Sequence, residues 1–405
     1  GVLGYIVPHK FMNIQSGAEL RGLLSAHKNV KKIMHFGTHQ VFENRSTYTC
    51  ILIMSKQENT EFEIGFVQDL NRFLFEHDVN CTRYAAPYLS RQPWAFLPQD
   101  LISQLQKAEE HCEPLSILAD IFVGVQTSAD NIYIIHADRE DSHFVYSHEK
   151  DGTEIKLEKD ILRKSVYDAK LTSYEKIEAN SYIIFPYKEV DGKPRLYDIE
   201  EMEECFPNAL EYLNRHKEAL NKRNMPNRND LNWYAFGRSQ SLRRFMSGKH
   251  LVWPVLSLSS NYVYDDEMVV FTGGGNGPFY GLQMKQSSQE SIFYVQAILN
   301  HWLMELLVKS KASTFRGDYY SHGKQFIASL PIYRIDFDNP IEVQKHDDIV
   351  RGVETIMHLK EQAKCARNIT ERTVFERSAS AVNHELNALI DTLYQVEAQE
   401  NEDEE

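Results

Sequence analysis

The 405-residue chain has 42% hydrophobic and 25% charged residues, a composition typical of globular proteins and long enough for two or three domains. Its formal net charge of −14 excludes a protein that coats nucleic acid over its whole surface, although it permits one local basic cleft. No apolar run approaches the roughly 20 residues that cross a bilayer, and no signal-peptide pattern opens the chain. We therefore expect no membrane contact and a cytoplasmic location.

The cysteines and histidines argue against a disulfide framework and against a metal site. The five cysteines are scattered and odd in number, which is typical of reduced cytosolic thiols. The sixteen histidines form no HExxH motif or similar ligand spacing. The sequence therefore predicts no protein-bound metal.

Residues 1–56 resemble the end of an α/β domain rather than its beginning. The apolar run 1–8 predicts a strand buried on both faces, and residues 16–27 predict a helix. Two further strands are predicted at 30–36 and 48–54. Three strands and one helix do not close such a domain, so we expect a preceding segment outside this chain.

Residues 57–113 are predicted to form a linker or small subdomain. A strand and a helix are predicted between 62 and 75, and a short helix at 101–111. Between them, Pro87, Pro93 and Pro98 indicate a linker that crosses the surface.

Residues 114–338 are predicted to form a mixed α/β domain. Predicted helices cover 200–221 and 291–307. The predicted strands are 118–125, 132–135, 153–157, 182–187, 250–254, 262–264 and 268–271. The glycine-rich stretch 272–281 lacks the lysine of a phosphate-binding loop, so a hairpin turn is its default interpretation.

Residues 206–256 form a basic island within this acidic chain. Against three acidic residues the island carries nine cations: Arg215, Lys217, Lys222, Arg223, Arg228, Arg238, Arg243, Arg244 and Lys249. Trp233, Tyr234, Phe236 and Phe245 are interleaved with them. This pattern fits a surface for a polyanion, but it equally fits a solvated basic helix followed by a buried aromatic strand.

The C-terminal region is predicted to be helical. Apolar residues repeat with heptad-like spacing along 341–398, and residues 367–370 interrupt the repeat. We predict a helical hairpin over 339–397 that folds back on the body, followed by a frayed acidic tail at 398–405. The whole chain is thus predicted to be α/β, or more loosely α+β.

Several segments together carry a resemblance to a known family. GVLGYIVPHKFM, GAELRGLLS and KKIMHFGTHQVFENRSTYTCILIMSK, with Phe42 in the aromatic position, resemble the last part of a TaqI-like adenine DNA methyltransferase domain. Five further segments resemble the target-recognition domain of that family: LADIFVGVQTSADNIYII, FPNALEYLNRHKEALNKR, NWYAFGRSQSLRRFMSGKHLVWP, YVQAILNHW and FIASLPIYRID. Two more, HDDIVRGVETIMHLK and ELNALIDTLY, resemble its terminal helices. The resemblance covers nearly the whole chain.

This resemblance implies the DNA-recognition portion of a bacterial type II restriction–modification methyltransferase, with a Rossmann-like sheet fragment at its start. The family methylates adenine with S-adenosylmethionine and holds the flipped base with an Asn-Pro-Pro-Tyr type motif, which this sequence lacks. We therefore assign no catalytic or cofactor-binding residue and expect no methylation by this chain alone. The parent is expected to carry its catalytic half, its cofactor and any nuclease domain upstream.

Within the DNA-recognition role that the resemblance implies, charged and aromatic side chains of this chain are candidate DNA contacts. Arg238, Arg243 and Arg244 are candidates for guanine edges, and Trp233 and Tyr234 are candidates for stacking or, alternatively, for core anchoring. Phosphate contacts are expected from Lys217, Lys222, Arg223, Arg228 and Lys249. Arg316, Tyr319, His322 and Lys324 form a second polar loop that could close over double-stranded DNA.

Gln126 and Thr127 follow a strand near the predicted domain junction, where they are candidates to face the flipped base. Two other interpretations remain open. One is a protein-interaction module that docks a partner subunit without contacting DNA, and the other is a complete enzyme of unrelated chemistry, for which no motif is found. Salt-dependent binding to duplex DNA separates the first of these from a DNA-recognition protein.

Overall fold

The computed structural model describes residues 1–42, 47–77, 79–97, 99–225, 229–273, 278–312, 315 and 319–397. Its first feature is a five-stranded sheet, here called the N-terminal sheet, with helices α1 (Ala18–Ala26) and α2 (Leu70–Glu76). The strands are β1 (Val2–Pro8), β2 (Val30–His35), β3 (Thr49–Ser55), β4 (Glu61–Phe66) and β5 (Cys81–Ala85). Their order in the sheet is β1-β3-β2-β4-β5.

Strand β1 lies at the edge of the N-terminal sheet. It pairs antiparallel with β3, from Val2 opposite Ser55 to Pro8 opposite Thr49. Its side chains are exposed to 64% at Val2, 49% at Leu3 and 53% at Tyr5. The prediction that this strand is buried on both faces is therefore wrong, because its apolar residues lack a covering layer within the described residues.

The predicted boundary at residue 56 falls inside the N-terminal sheet. Strand β4 pairs parallel with β2, and β5 pairs antiparallel with β4. The stretch that follows β5 packs onto the same core, where the buried Trp94 donates its backbone N–H to the Met12 carbonyl at 2.8 Å. Residues 61–97 are thus largely part of the first folding unit. The strand and the helix predicted between 62 and 75 are confirmed as β4 and α2, and the predicted irregularity around Pro87 and Pro93 is confirmed as well.

After helix α3 (Gln99–Ala108), the chain builds a second unit of small sheets. Its elements up to residue 215 are β6 (Cys112–Pro114), α4 (Leu115–Leu118), β7 (Ala119–Val123), α5 (Asp130–Tyr133), β8 (Ile134–Ile135), β9 (Arg139–Glu140), β10 (Phe144–His148), β11 (Glu154–Glu158), β12 (Leu162–Ser165), β13 (Ser181–Ile184), β14 (Tyr187–Val190), β15 (Lys193–Leu196), α6 (Ile199–Cys205) and α7 (Pro207–Arg215). The remaining elements before the terminal helices are α8 (Lys217–Asn221), β16 (His250–Pro254), β17 (Leu256–Ser257), β18 (Val263–Asp265), β19 (Phe279–Met284), α9 (Ile292–Asn300), α10 (Trp302–Lys311), β20 (Tyr320–Ser321), α11 (Lys324–Ile327) and β21 (Pro331–Tyr333). The four-stranded sheet β18-β16-β19-β7, here called the central sheet, carries the buried Leu251, Trp253 and Leu282.

Three predicted elements of this unit are interrupted. The helix predicted at 200–221 is divided into α6, α7 and α8. The first break lies at Pro207, which lacks an N–H group and begins a new helix instead of continuing α6. The helix predicted at 291–307 is divided at His301, whose side chain caps α10 by accepting from Leu303 N–H at 3.3 Å. The strand predicted at 132–135 begins as the short helix α5.

The predicted helical hairpin is confirmed as α12 (Pro340–Lys364) and α13 (Ile369–Tyr394). Buried Val353 and Leu386 face the core, and Tyr394 accepts from Tyr333 N–H at 3.0 Å and donates to Pro331 O at 2.8 Å. The architecture is α+β, as predicted, and the predicted acidic tail lies outside the described residues. No helix in the described part of the chain has the length and apolar character needed to span a bilayer.

Candidate nucleic-acid interface

The structure divides the basic island into buried and exposed parts. Trp233 and Tyr234 are 2% and 0% exposed, and the Arg223 side chain is also buried. Tyr234 Oη donates to Tyr197 O at 2.5 Å, and Tyr133 Oη donates to Tyr234 O at 2.7 Å. We correct the predicted DNA contacts of Trp233, Tyr234 and Arg223 to structural roles, because a base or phosphate cannot reach buried groups that already pack in the core.

The buried Arg223 guanidinium joins three stretches of backbone. Its Nε donates to Leu220 O at 3.0 Å, its Nη1 to Thr127 O at 2.7 Å, and its Nη2 to Trp233 O at 2.7 Å. The guanidinium also lies 5.5 Å from the centroid of the Tyr133 ring. A positive charge in this place therefore organises the loops beneath the surface.

Residues 120–128, here called the 120–128 segment, bring several predicted site residues together. Arg244 Nη2 pairs with Asp120 Oδ2 at 2.8 Å, and Lys324 Nζ donates to Ile121 O at 3.2 Å. The backbone N–H of Arg238 donates to Gln126 O at 3.1 Å. Sequence separation hid this grouping, because each contact joins the segment to a distant part of the chain.

Two glycines let the backbones cross at the centre of this region. A Cβ atom on Gly124 would lie 2.3 Å from Phe271 O, and one on Gly273 would lie 2.4 Å from Gly124 N. Gln240 Nε2 closes the crossing by donating to Gly124 O at 3.1 Å and to Gly273 O at 2.9 Å. Only glycine fits here. Gln240 was not predicted as a site residue, and nothing in its local sequence marks it.

A cavity of about 690 Å³ opens beside the 120–128 segment. Its walls include Gln126, Asp130, Tyr167, Asp168 and Thr272. The Thr127 hydroxyl accepts from Ala129 N–H at 3.0 Å and also pairs with Asp130, so this side chain caps a turn instead of facing a ligand. The prediction for Thr127 is therefore corrected. The prediction that Gln126 faces the flipped base stays a prediction, and its half-buried side chain lines the cavity.

The exposed cations differ in how firmly they are held. Arg238 and Arg243 are exposed, and within the described residues neither guanidinium has an ion pair or hydrogen bond. Arg244 is instead engaged by Asp120 and Gln283, which leaves it poorly placed for a guanine edge. Arg238 and Arg243 therefore stay candidates for base or phosphate contact.

The remaining predicted cations are spread more widely. Lys217 is exposed and its Nζ lies 4.8 Å from the Trp233 ring centroid, whereas Lys222 pairs with Glu218 at 2.8 Å. Lys249 is exposed beside the Tyr264 hydroxyl. Arg228 and Arg316 lie outside the described residues.

Of the second polar loop, Tyr319 is 44% exposed, but His322 is 1% exposed. The His322 Nδ1 atom lies 3.2 Å from Ser257 Oγ, and burial lowers the pKa of this imidazole to about 4. A DNA contact from His322 is therefore corrected to a structural role. Lys324 belongs to the described part of this loop and faces the 120–128 segment, since its Nζ donates to Ile121 O at 3.2 Å.

A second cavity, of about 520 Å³, was missed by the sequence analysis. It lies at the C-terminal ends of β1, β2 and β4. These three strands run in the same direction, because β1 and β2 both pair antiparallel with β3 and β4 pairs parallel with β2. The carboxyl ends of parallel strands are a usual position for ligand sites. The His9 and His35 rings stack in its wall with centroids 4.3 Å apart, and Phe66, Trp94 and Phe96 complete the aromatic lining. Burial, followed by the charge of Lys10, lowers the His9 pKa to about 4, so the lining suits an uncharged planar group.

Among the described residues, no group of three or more His, Cys, Asp and Glu side chains is placed to hold a metal ion. The absence of a metal stays a prediction. Around the 120–128 segment, the described residues offer exposed guanidinium groups and a half-buried amide group that can make hydrogen bonds to a ligand.

Comparison with known sequences gives consistent relatives. The Eco57I restriction-modification methylase family model matches residues 1–42. The type II restriction enzyme and methyltransferase RM.Eco57I of Escherichia coli is 28% identical over 407 residues, covering 97% of this chain and 41% of that protein. The type II methyltransferase M.BanIII of Aneurinibacillus aneurinilyticus is 20% identical, covering 82% of this chain and 60% of that protein. The chain thus spans less than two thirds of the length of these relatives.

A solved structure shares the fold. The type IIL restriction-modification enzyme MmeI, determined in complex with DNA, aligns with a TM-score of 0.58 at 12% sequence identity. The alignment covers 99% of this chain and 48% of that chain. At this identity the likeness concerns the fold alone.

Proposed function

Because this chain is similar in sequence and fold to type II restriction–modification methyltransferases, we propose that it is the part of such an enzyme that recognises a duplex DNA sequence. The observation that carries the proposal is the pair of exposed arginines, Arg238 and Arg243, on the ordered platform around the 120–128 segment. Unpaired guanidinium groups on an otherwise acidic protein favour a local polyanionic ligand.

Methylation of adenine with S-adenosylmethionine is the activity that the family resemblance suggests for the whole enzyme. This sequence has no two adjacent prolines and lacks the Asn-Pro-Pro-Tyr motif that holds the flipped base in that family, so it supplies no residue for the methyl-transfer step. We therefore assign no cofactor contact and derive no methyl-transfer step. The proposed contribution of this chain is to set the position of the duplex, so that another part of the enzyme acts on a fixed base.

We expect this chain to bind a 30-base-pair duplex with an affinity that falls steeply with salt, since phosphate contacts release counterions. Replacing both arginines (Arg238→Ala with Arg243→Ala) should weaken binding by roughly 10- to 100-fold and reduce the slope of log affinity against log salt by about 1 for each arginine that contacts a phosphate. Fluorescence anisotropy between about 50 and 200 mM salt measures both quantities.

The matched control removes two cations from the helical hairpin (Arg367→Ala with Arg377→Ala). Both control positions are exposed, and the change in net charge is the same because each double variant removes two arginines. The control should bind DNA like the unmodified chain. No binding at low salt, or equal weakening by both double variants, would contradict a specific DNA surface and favour a module that docks another protein.

The exposed strand β1 supports a further part of the proposal, namely that a catalytic methyltransferase domain covers it. Val2, Leu3, Tyr5 and Ile6 are each at least 49% exposed, and Leu23 of α1 is 57% exposed. Such an apolar edge with free backbone groups is normally covered or paired. The methylase family model matches this same region, which favours a methylase domain as the covering partner.

An uncovered edge should make the isolated chain self-associate as its concentration rises. We expect two lysines on one face of β1 (Leu3→Lys with Tyr5→Lys) to abolish this association, because charged residues block pairing between sheet edges. Light scattering after size exclusion gives the mass. The control places lysines at two exposed apolar positions of α13, Ile369 and Val374, where no edge exists, and should still associate. An unmodified chain that stays monomeric at all concentrations counts against an uncovered edge.

A further inference from the structure

Gln126 and Arg238 occupy directly opposite positions in a local pairing of two chain segments. They form an isolated antiparallel bridge, with Arg238 N–H donating to Gln126 O at 3.1 Å and Gly237 N–H donating to Thr127 O at 3.0 Å. Opposite residues in such a pair project their side chains to the same face, with Cβ atoms about 5 Å apart. One guanidinium and one carboxamide are thus presented side by side.

Both side chains are available to a ligand. Arg238 is exposed and Gln126 is half-buried, and no hydrogen bond engages either side chain within the described residues. The other long polar side chains nearby already have partners: Arg244 pairs with Asp120, and Gln240 holds the crossing of Gly124 and Gly273. The side chains of Gln126 and Arg238 are therefore open to hydrogen bonding with a ligand, whereas those of Arg244 and Gln240 are engaged within the protein.

The backbone beneath the pair is held from several directions. Arg223 donates to Thr127 O at 2.7 Å, and a Cβ atom on Gly237 would lie 2.2 Å from Ser128 Oγ. Ser128 itself has a φ of 57°, in the left-handed region that non-glycine residues rarely adopt. Fixed anchors of this kind lower the ordering cost of binding and sharpen selection between similar ligands.

The local charges favour base edges over phosphates next to the pair. Asp130 and Asp168 line the adjoining cavity, and Asp120 lies farther along the same segment, where Arg244 neutralises it. Two carboxylates repel a phosphate backbone, whereas the hydrogen-bond donors and acceptors of base edges carry no net charge. The backbone of a bound duplex is therefore expected to pass along the exposed cations outside this cavity.

We propose that Gln126 and Arg238 together read two neighbouring purines, an adenine and a guanine, in the major groove. Arginine makes two hydrogen bonds to guanine O6 and N7, and glutamine makes two to adenine N6 and N7. Side chains about 5 Å apart match neighbouring base pairs, which stack about 3.4 Å apart. The inference rests on the proposed DNA-recognition function and gives it a specificity-determining pair.

The test measures base preference by selecting bound duplexes from a library with a randomised central region. Arg238→Ala should lose a guanine preference at one position by roughly 5- to 150-fold, and Gln126→Ala should lose an adenine preference at the neighbouring position by a similar factor. Exchanging the two residues (Gln126→Arg with Arg238→Gln) should reverse the order of the two purines. Lys249→Ala, at an exposed cation, should lower affinity without changing base preference.

The outcomes separate the inference from the function on which it rests. If the unmodified chain binds no duplex, the proposed DNA recognition fails. If it binds but shows no base preference, or if both alanine variants keep the original preference, DNA recognition survives and the reading pair is overturned. Equal melting temperatures of all variants exclude misfolding as the cause of a lost preference.

Discussion

Replacing Arg223 with methionine should lower the free energy of unfolding by about 3–5 kcal/mol, because it deletes three hydrogen bonds from one buried charged group. Methionine keeps much of the side-chain volume but offers no donor. Thr127 O would retain the Gly237 amide as a donor at 3.0 Å, yet its link to the Trp233 carbonyl would be lost. The loops that carry Gln126 and Arg238 should therefore loosen together.

Thermal unfolding measures this loss as a fall in midpoint of roughly 5–15 °C. Lys222→Met is the matched control, since it removes the same charge one residue earlier, where the side chain is 74% exposed. A surface change of this kind should stay within about 0.5 kcal/mol. Arg223→Lys should not restore stability, because one ammonium group cannot reach three carbonyls in different directions. Equal midpoints for Arg223→Met and Lys222→Met would contradict a structural role for the guanidinium.

This contrast between neighbouring cations shows a limit of the sequence. Charge and spacing rank Lys222 and Arg223 alike, and both were predicted to contact phosphate. Whether a cation is buried depends on which distant parts of the chain pack around its side chain. The Thr127 carbonyl, which accepts a hydrogen bond from Arg223, belongs to such a distant part. The aromatic residues were ambiguous for a similar reason, because Trp233 and Tyr234 suit a core and a stacking surface equally well.

Features encoded by local periodicity were predictable. The heptad-like spacing of Ile349, Val353 and Ile356 predicted the helical hairpin, and all three side chains are buried in it. Strands β2 and β3 likewise follow from short apolar runs. The N-terminal sheet continues past the predicted boundary at residue 56, and the sequence did not indicate this because the parallel pairing of β4 with β2 leaves no local signature.

The proposed recognition region was only partly predictable from the sequence. The sequence identified Arg238, and by position Gln126, but their bridge is visible only in three dimensions. The glycines at 124 and 273 carry a signal of close backbone approach, although nothing in the sequence says that they approach each other. The residue type thus predicts which hydrogen bonds a side chain can make, whereas the fold determines which side chains lie next to each other.

Acidification is expected to destabilise the N-terminal sheet through its stacked histidines. Burial lowers the His9 pKa from its ordinary 6.5 to about 4, and the neighbouring Lys10 adds to the effect. Burial also lowers the His35 pKa, with His9 as the second cause. The His35 Nδ1 atom accepts from Gly37 N–H at 3.0 Å, and that bond requires an unprotonated nitrogen. The folded state therefore holds both rings neutral.

The sign of the pH dependence follows from these lowered values. Between pH 6.5 and 4 the unfolded chain binds a proton at His9 that the folded chain does not, so stability is fully present above about pH 6.5 and declines as the pH falls toward 4. For His9 alone the loss between pH 7.5 and pH 5 is about 2 kcal/mol. His35 acts in the same direction, and so does His322 in the second unit.

His9→Phe should reduce this pH dependence, because phenylalanine can keep the stack on His35 but cannot take up a proton. Urea unfolding followed by tryptophan fluorescence at pH 7.5 and pH 5 measures the difference in free energy for each variant. The same substitution at the exposed His358 should leave the difference unchanged. A His9→Phe protein that loses as much stability at pH 5 as the unmodified chain would show that His9 does not resist protonation. The acid sensitivity would then have to come from groups outside the histidine stack.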